Sequence, residues 1–172
     1  MDQHQVKFLL ESLLFVADEP VAVGQLARVL EVEGKSIEEA LETLRTEYSQ
    51  RGVCIQRKGE RVQMVTAPEA ASYIERFLGL QLSGKLSTAA LETLAIIAYQ
   101  QPVTRAQIEA VRGVNCDGVL RTLTSKGLIE ETGRLEQAGR PILYGTTFEF
   151  LQYFGLQDLA ELPPLEGEEG QG

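Results

Sequence analysis

The sequence predicts a mainly α, α+β fold in which small β-hairpins close two tandem copies of one helical unit, and three observations carry that prediction. The first is an internal repeat. Leu10-Glu11-Ser12-Leu13-Leu14-Phe15-Val16-Ala17-Asp18-Glu19-Pro20-Val21 and Leu91-Glu92-Thr93-Leu94-Ala95-Ile96-Ile97-Ala98-Tyr99-Gln100-Gln101-Pro102-Val103 each run Leu-Glu, an apolar helical stretch, two polar residues and Pro-Val. The offset is about 81 or 82 residues, the mark of two similar small domains in series. The second observation is helical spacing of apolar residues in three segments of each copy. The third is a pair of short strand-like runs at the end of each copy, turning at Lys58-Gly59-Glu60 and at Ala138-Gly139.

In the first copy, residues 4–17 form a helix whose apolar side, Val6, Leu9, Leu10, Leu13, Phe15 and Val16, is broader than one core needs. Pro20 stops it, because proline disfavours helix at the preceding residue and has no N–H to donate. A short helix covers Gln25 to Leu30. A third runs from Ser36, an expected N-cap with Glu39 three residues on, to Ser49, burying Ile37, Ala40, Leu41, Leu44 and Tyr48. Strands at Val53 to Arg57 and Arg61 to Thr66 complete the order helix, helix, helix, hairpin, which is the winged-helix arrangement. Pro68 then opens a connecting helix to Leu78 with Ala71, Ile74, Phe77 and Leu78 on its inner side, and Gly79, Ser83 and Gly84 mark a hinge.

The second copy repeats the order. Ser87 caps a helix carrying Ala90, Leu91, Leu94, Ile97 and Ala98, and Thr104 caps another that ends at Gly113. A third spans Asn115 to Ser125 and buries Val119, Leu120 and Leu123. Strands over Leu128 to Gln137 and Arg140 to Thr147 form the second wing, and Phe148 to Phe154 forms a closing helix. The expected domains are therefore 1–82, 83–162, and a disordered acidic tail over 163–172 that starts at Pro163-Pro164.

Composition narrows the function. At 172 residues, with 44% hydrophobic and 24% charged, the chain is an ordinary globular protein. No run approaches the roughly 18 apolar residues that span a bilayer, and the first residues lack a secretory pattern, so no membrane partner and a cytoplasmic location are expected. Lys and Arg number 16 against 25 Asp and Glu, a formal charge of −9. Residues 1–85 hold 13 acidic and 10 basic residues, and residues 86–162 hold 9 and 6. A duplex-binding protein gains affinity by neutralising phosphates, and neither lobe has the surplus to do so.

The third helix, which reads DNA in many winged helices, sharpens this. In the first copy it carries Glu38, Glu39, Glu42 and Glu47 against Arg45, and in the second Arg121 and Lys126 stand against Asp117. A hairpin cluster, Arg57, Lys58 and Arg61, is the best basic patch, with Glu60 inside it. Any DNA contact is therefore expected to be weak or indirect. No Gly-rich phosphate loop occurs, and the only histidine is His4, near the start of the chain, so no catalytic residues are assigned. Cys54 and Cys116 lack ligand spacing and read as small apolar fillers; neither a metal nor a cofactor is expected. What remains is an interaction scaffold. The surplus apolar breadth of the first helix fits either a self-association face at Leu9, Leu13 and Val16 or a fuller core within its own domain.

Two stretches are too specific to be generic. Leu86-Ser87 through Tyr99-Gln100-Gln101-Pro102-Val103-Thr104-Arg105-Ala106-Gln107-Ile108-Glu109, followed by Val111-Arg112-Gly113-Val114, is one; Gly139-Arg140-Pro141-Ile142-Leu143-Tyr144-Gly145-Thr146-Thr147 is the other. Together they closely resemble bacterial segregation and condensation protein B, over about residues 4–162, the first lobe in layout more than in letter. The resemblance implies a non-enzymatic subunit of the bacterial condensin complex, built from two winged-helix domains. It implies a homodimer formed chiefly through the N-terminal domain. It also implies binding to the kleisin subunit, segregation and condensation protein A, mainly by the C-terminal domain, which links it to the SMC ATPase. The role implied is chromosome condensation and partition during cell division, at the nucleoid. Arg105, Arg112 and Arg140, as polar members of the second-lobe motif expected at the surface, are the kleisin contacts this reading nominates. A winged-helix transcription regulator is the alternative.

Overall fold

Asp2 sets the start of the first helix: its carboxylate accepts the Gln5 N–H at 2.7 Å and caps α1 (Gln3–Val16). The structure is a computed structural model that describes residues 1–79 and 84–165. The chain divides into two compact units, Met1–Leu80 with Gly155–Gly172, and Gln81–Phe154.

In the first unit α1 is followed by β1 (Val21–Ala22), α2 (Val23–Leu30), α3 (Gly34–Tyr48), β2 (Val53–Lys58), β3 (Arg61–Thr66), a 3-10 turn at Pro68–Ala70 and α4 (Ala71–Leu78). The antiparallel sheet runs β1-β3-β2, with Val21 opposite Val62 and Ile55 opposite Met64. Val6, Leu10 and Leu14 of α1 recur every fourth residue and meet Ile37, Leu41 and Leu44 of α3 over Ile55 and Val62; all are buried. Each such side chain contributes about 1.5–3 kcal/mol by leaving water.

Several expectations shift. The two-residue strand β1 is new, and α2 begins at Val23 rather than Gln25. Helix α3 begins at Gly34, so Ser36 lies inside its first turn, where its N–H bonds to the Glu33 carbonyl at 3.0 Å, and does not cap. The expected inner face of α4 is not inner. Phe77 is 88% exposed, Leu78 is exposed and no α4 residue is buried, because an amphipathic pattern marks an apolar face without supplying a surface to cover it. The expected hinge residue Ser83 lies outside the described residues.

The second unit has α5 (Thr88–Gln100), β4 (Val103–Thr104), α6 (Arg105–Arg112), α7 (Asp117–Ser125), β5 (Ile129–Arg134), β6 (Ile142–Thr146) and α8 (Phe148–Phe154). Its sheet order, β4-β6-β5, repeats that of the first unit, and both units are winged helices. Ser87 caps α5 by accepting the Ala90 N–H at 3.2 Å. Leu94, Ile97, Ile108, Leu120, Leu123, Ile129 and Leu151 are its buried centre. Gln101 Oε1 accepts both the N–H and the hydroxyl of Thr146, at 2.8 and 3.1 Å. Thr147 donates its hydroxyl to the Gly127 carbonyl at 2.6 Å and accepts the Phe150 N–H at 3.1 Å, which caps α8.

The expected second-domain boundary at residue 162 moves back to Phe154. From Gly155 the chain belongs to the first unit: the Leu156 carbonyl accepts the Gln56 side-chain amide at 2.7 Å, and the Gln157 carbonyl accepts the Arg57 N–H at 2.8 Å. Of the expected tail, residues 166–172 lie outside the described residues.

Candidate interaction surfaces

In the second unit a capping box fixes the start of α6. Thr104 Oγ1 accepts the Gln107 N–H at 3.3 Å, and Gln107 Oε1 accepts the Thr104 N–H at 2.8 Å. This sets Arg105 on the first turn of α6, beside the hairpin that follows. Arg105 Nη1 meets Asp117 Oδ1 at 2.9 Å, and its Nε lies 3.8 Å from Glu109. Arg121 also bonds to Asp117, and the Arg121 and Arg105 guanidiniums hold that carboxyl below the usual carboxylate range.

The hairpin supplies two further guanidiniums. Arg134 Nη1 donates to the Arg140 carbonyl at 3.2 Å, and Arg140 Nη2 reaches Glu136 at 3.2 Å. Arg140 sits at φ +40°, on the turn where its N–H bonds to the Gln137 carbonyl at 2.9 Å. Arg105, Arg134 and Arg140 line one open depression together with Pro141, Ile142 and Tyr144. Burial, and then the Glu131 carboxylate, push the Tyr144 hydroxyl above its ordinary pKa of 10.0. The result is a shallow surface that brings three guanidiniums to apolar side chains, with Arg105 and Arg140 each also paired to a carboxylate of the chain.

Arg112 does not belong to this depression. Its side chain is only 11% exposed and is held by Glu92 Oε2 at 2.9 Å, Thr93 Oγ1 at 3.2 Å and Cys116 Sγ at 3.7 Å. Cys116 in turn donates its N–H to Glu109 at 3.0 Å. The expectation that Arg112 is an exposed motif residue is therefore corrected: it ties α5 to the α6–α7 turn. Arg134 and Tyr144 were missed. Strand alternation puts Ile142 and Tyr144 on one face, and the register sets Arg134 opposite Ile142, so the hairpin pairing carried the signal.

In the first unit, the three residues nominated for self-association separate. Leu9 and Leu13 are half-buried and pack against the core, whereas Val16 is 70% exposed. The free apolar stripe runs instead through Phe8 and Phe15, 63% and 81% exposed, beside a groove that includes Ser12, Tyr48, Val53 and Met64. Glu11 on its rim accepts the Tyr48 hydroxyl.

In the first hairpin, Arg57 of the basic cluster is paired with carboxylates. Glu38 of α3 grips Arg57 of the hairpin with both oxygens, at 2.5 and 3.1 Å, and Glu60 lies 3.9 Å from the same guanidinium. Among the described residues no group of three His, Cys, Asp or Glu is placed to hold a metal, and no helix is long and apolar enough to cross a membrane. Cys54 and Cys116 are free thiols in different units, each buried.

Comparison with known proteins covers both units at once. Residues 8–165 match the family described as "Segregation and condensation complex subunit ScpB". Segregation and condensation protein B of Desulforamulus reducens is 52% identical over 94% of this chain and 90% of its own length. The Moorella thermoacetica protein of the same name is 55% identical over 91% of this chain and 81% of its own. Among solved structures, ScpB from Mycobacterium tuberculosis is 40% identical, covers 91% of this chain and 98% of that one, and gives a TM-score of 0.44. With two winged-helix units in series and a match that runs through both, the chain belongs to the segregation and condensation protein B family.

Proposed function

We propose that this chain is a non-enzymatic, homodimeric subunit of a bacterial SMC–kleisin condensin, which binds the kleisin subunit, segregation and condensation protein A, and through it serves the SMC ATPase in chromosome condensation and segregation. The observation that carries the reading is the family match over residues 8–165, spanning both winged helices. The charge pattern supports a protein partner over a nucleic acid. Helix α3 is acidic and Glu38 clamps Arg57 of the best basic cluster, which supports DNA contact that is weak or indirect. A cytoplasmic site of action at the nucleoid follows from that role, with no cofactor and no membrane partner.

Within this reading, the kleisin contacts are Arg105 and Arg140, joined by Arg134 and Tyr144 in the same depression. The self-association face of the N-terminal domain is the Phe8, Phe15 and Val16 stripe, with Leu9 and Leu13 holding α1 on its own core. The test is a charge reversal. Arg105→Glu with Arg140→Glu lowers kleisin affinity by about tenfold or more, as for loss of charge-paired interface residues, and leaves the dimer intact. Unchanged affinity in a folded double variant removes this depression from the kleisin interface.

A further inference from the structure

Strand β2 is the outer strand of its sheet, so one of its edges has no partner strand within the winged helix. Its side chains alternate: Val53 and Ile55 pack with the α1–α3 core, whereas Cys54 and Gln56 point to the opposite face. That second face would be wet in an isolated winged helix, yet Gln56 is 2% exposed and Cys54 5%. At Gln56 what meets it is the chain after the second domain, and Cys54, whose thiol is pushed up in pKa by burial, has Glu69 and then Glu161 of that chain as its charged neighbours. Gln56 Nε2 donates to the Leu156 carbonyl at 2.7 Å while its Oε1 accepts from Gln63 at 3.0 Å, and the Arg57 N–H, on the open edge, donates to the Gln157 carbonyl at 2.8 Å. The segment is shaped for the place. Gly155 has φ +67°, and a Cβ there would lie 3.0 and 3.3 Å from two carbons of Pro68. Asp158 caps the turn Leu159–Glu161 through the Ala160 N–H at 2.9 Å, and Glu161 closes back on the Gln157 N–H at 2.8 Å.

We propose that residues 155–162 are a strap occupying, in cis, a peptide-docking site at the β2 edge of the first domain. The strap opens without unfolding the core, because its side chains contribute nothing to the buried cluster of that domain. The recognition is a single main-chain bond on the β2 edge, from the Arg57 N–H to the Gln157 carbonyl, reinforced by the Gln56 side chain at the Leu156 carbonyl. Nothing in this site depends on the kleisin reading.

Cys54 reports the strap and Cys116, buried in the other domain, is the internal control. In the full-length chain, Gly155→Val forces the close approach to Pro68, and Asp158→Ala removes the cap from a surface turn. Native alkylation by iodoacetamide, followed by mass spectrometry, reads both thiols. The expected result is a rise of about tenfold or more at Cys54 in either variant with Cys116 unchanged, matched by lost hydrogen-exchange protection at the Arg57 amide alone within β2. A peptide of sequence Gly155 to Leu165, added to the Gly155→Val protein, restores Cys54 protection in a saturable way. Cys54 unmoved in both variants, Cys54 and Cys116 rising together, loss of all β2 protection, or a peptide without effect each overturns the proposal.

Discussion

Arg112 commits its guanidinium to Glu92, Thr93 and Cys116, and a side chain held on three sides and mostly buried serves the fold of its own domain. Arg112→Ala therefore lowers the unfolding temperature of the second domain, while kleisin affinity measured below that temperature stays at the wild-type value. Gly145 is constrained from the other direction. A Cβ there would lie 2.8 Å from Thr132 Cγ2 and 3.1 Å from Gln101 Oε1, the atom that holds Thr146. Gly145→Ala costs about 1–3 kcal/mol through overpacking, read as a fall in the midpoint of chemical denaturation. In the first domain the Tyr48 hydroxyl, buried and bonded to Glu11, titrates above its ordinary 10.0. The folded state thus holds this proton more tightly than the unfolded one. The stabilisation is complete below pH 10 and is lost as pH rises through the folded-state value. A stability–pH profile shows this alkaline loss, and Tyr48→Phe flattens it. At this scale the sequence placed Arg112 at the surface and the structure does not, since side-chain spacing places it on a helix and says nothing of the Glu92 and Cys116 that surround it.

At the scale of elements, the long helices and both hairpins were legible, because apolar spacing and turn residues are local signals. The strands β1 and β4 were not. Each is two residues long, too short to alternate, and exists only because Val21 meets Val62 and Val103 meets Tyr144 across the fold. Helix α1 shows the same division. Its breadth was visible, but only packing separates Leu9 and Leu13, which lean on the core, from Phe8, Phe15 and Val16, which do not. Phe8→Glu with Phe15→Glu consequently yields a folded monomer in sedimentation. Leu9→Glu with Leu13→Glu instead lowers the melting temperature, since it puts charge against apolar side chains. A monomer from the second pair at unchanged stability would return the interface to the residues the sequence nominated.

The whole molecule is one winged helix written twice, with the chain returning to the first domain after the second. The repeat in the sequence disclosed the duplication, and the charge balance turned it away from a double DNA-binding head. The return at Gly155 left no sequence signal, because the Leu156 and Gln157 groups that meet β2 are main-chain carbonyls, which any residue supplies. A regulator with this fold binds its operator at about 10⁻⁸ to 10⁻¹¹ M at physiological salt, whereas the expected result of an anisotropy titration of this chain at that salt is at most micromolar, salt-erased binding. The central claim is the scaffold role, and the mass of the complex formed with the kleisin tests it most directly. Sedimentation of the purified chain with segregation and condensation protein A is expected to give a stable species holding two copies of this chain per kleisin. A chain that stays monomeric and sediments apart from the kleisin would contradict it.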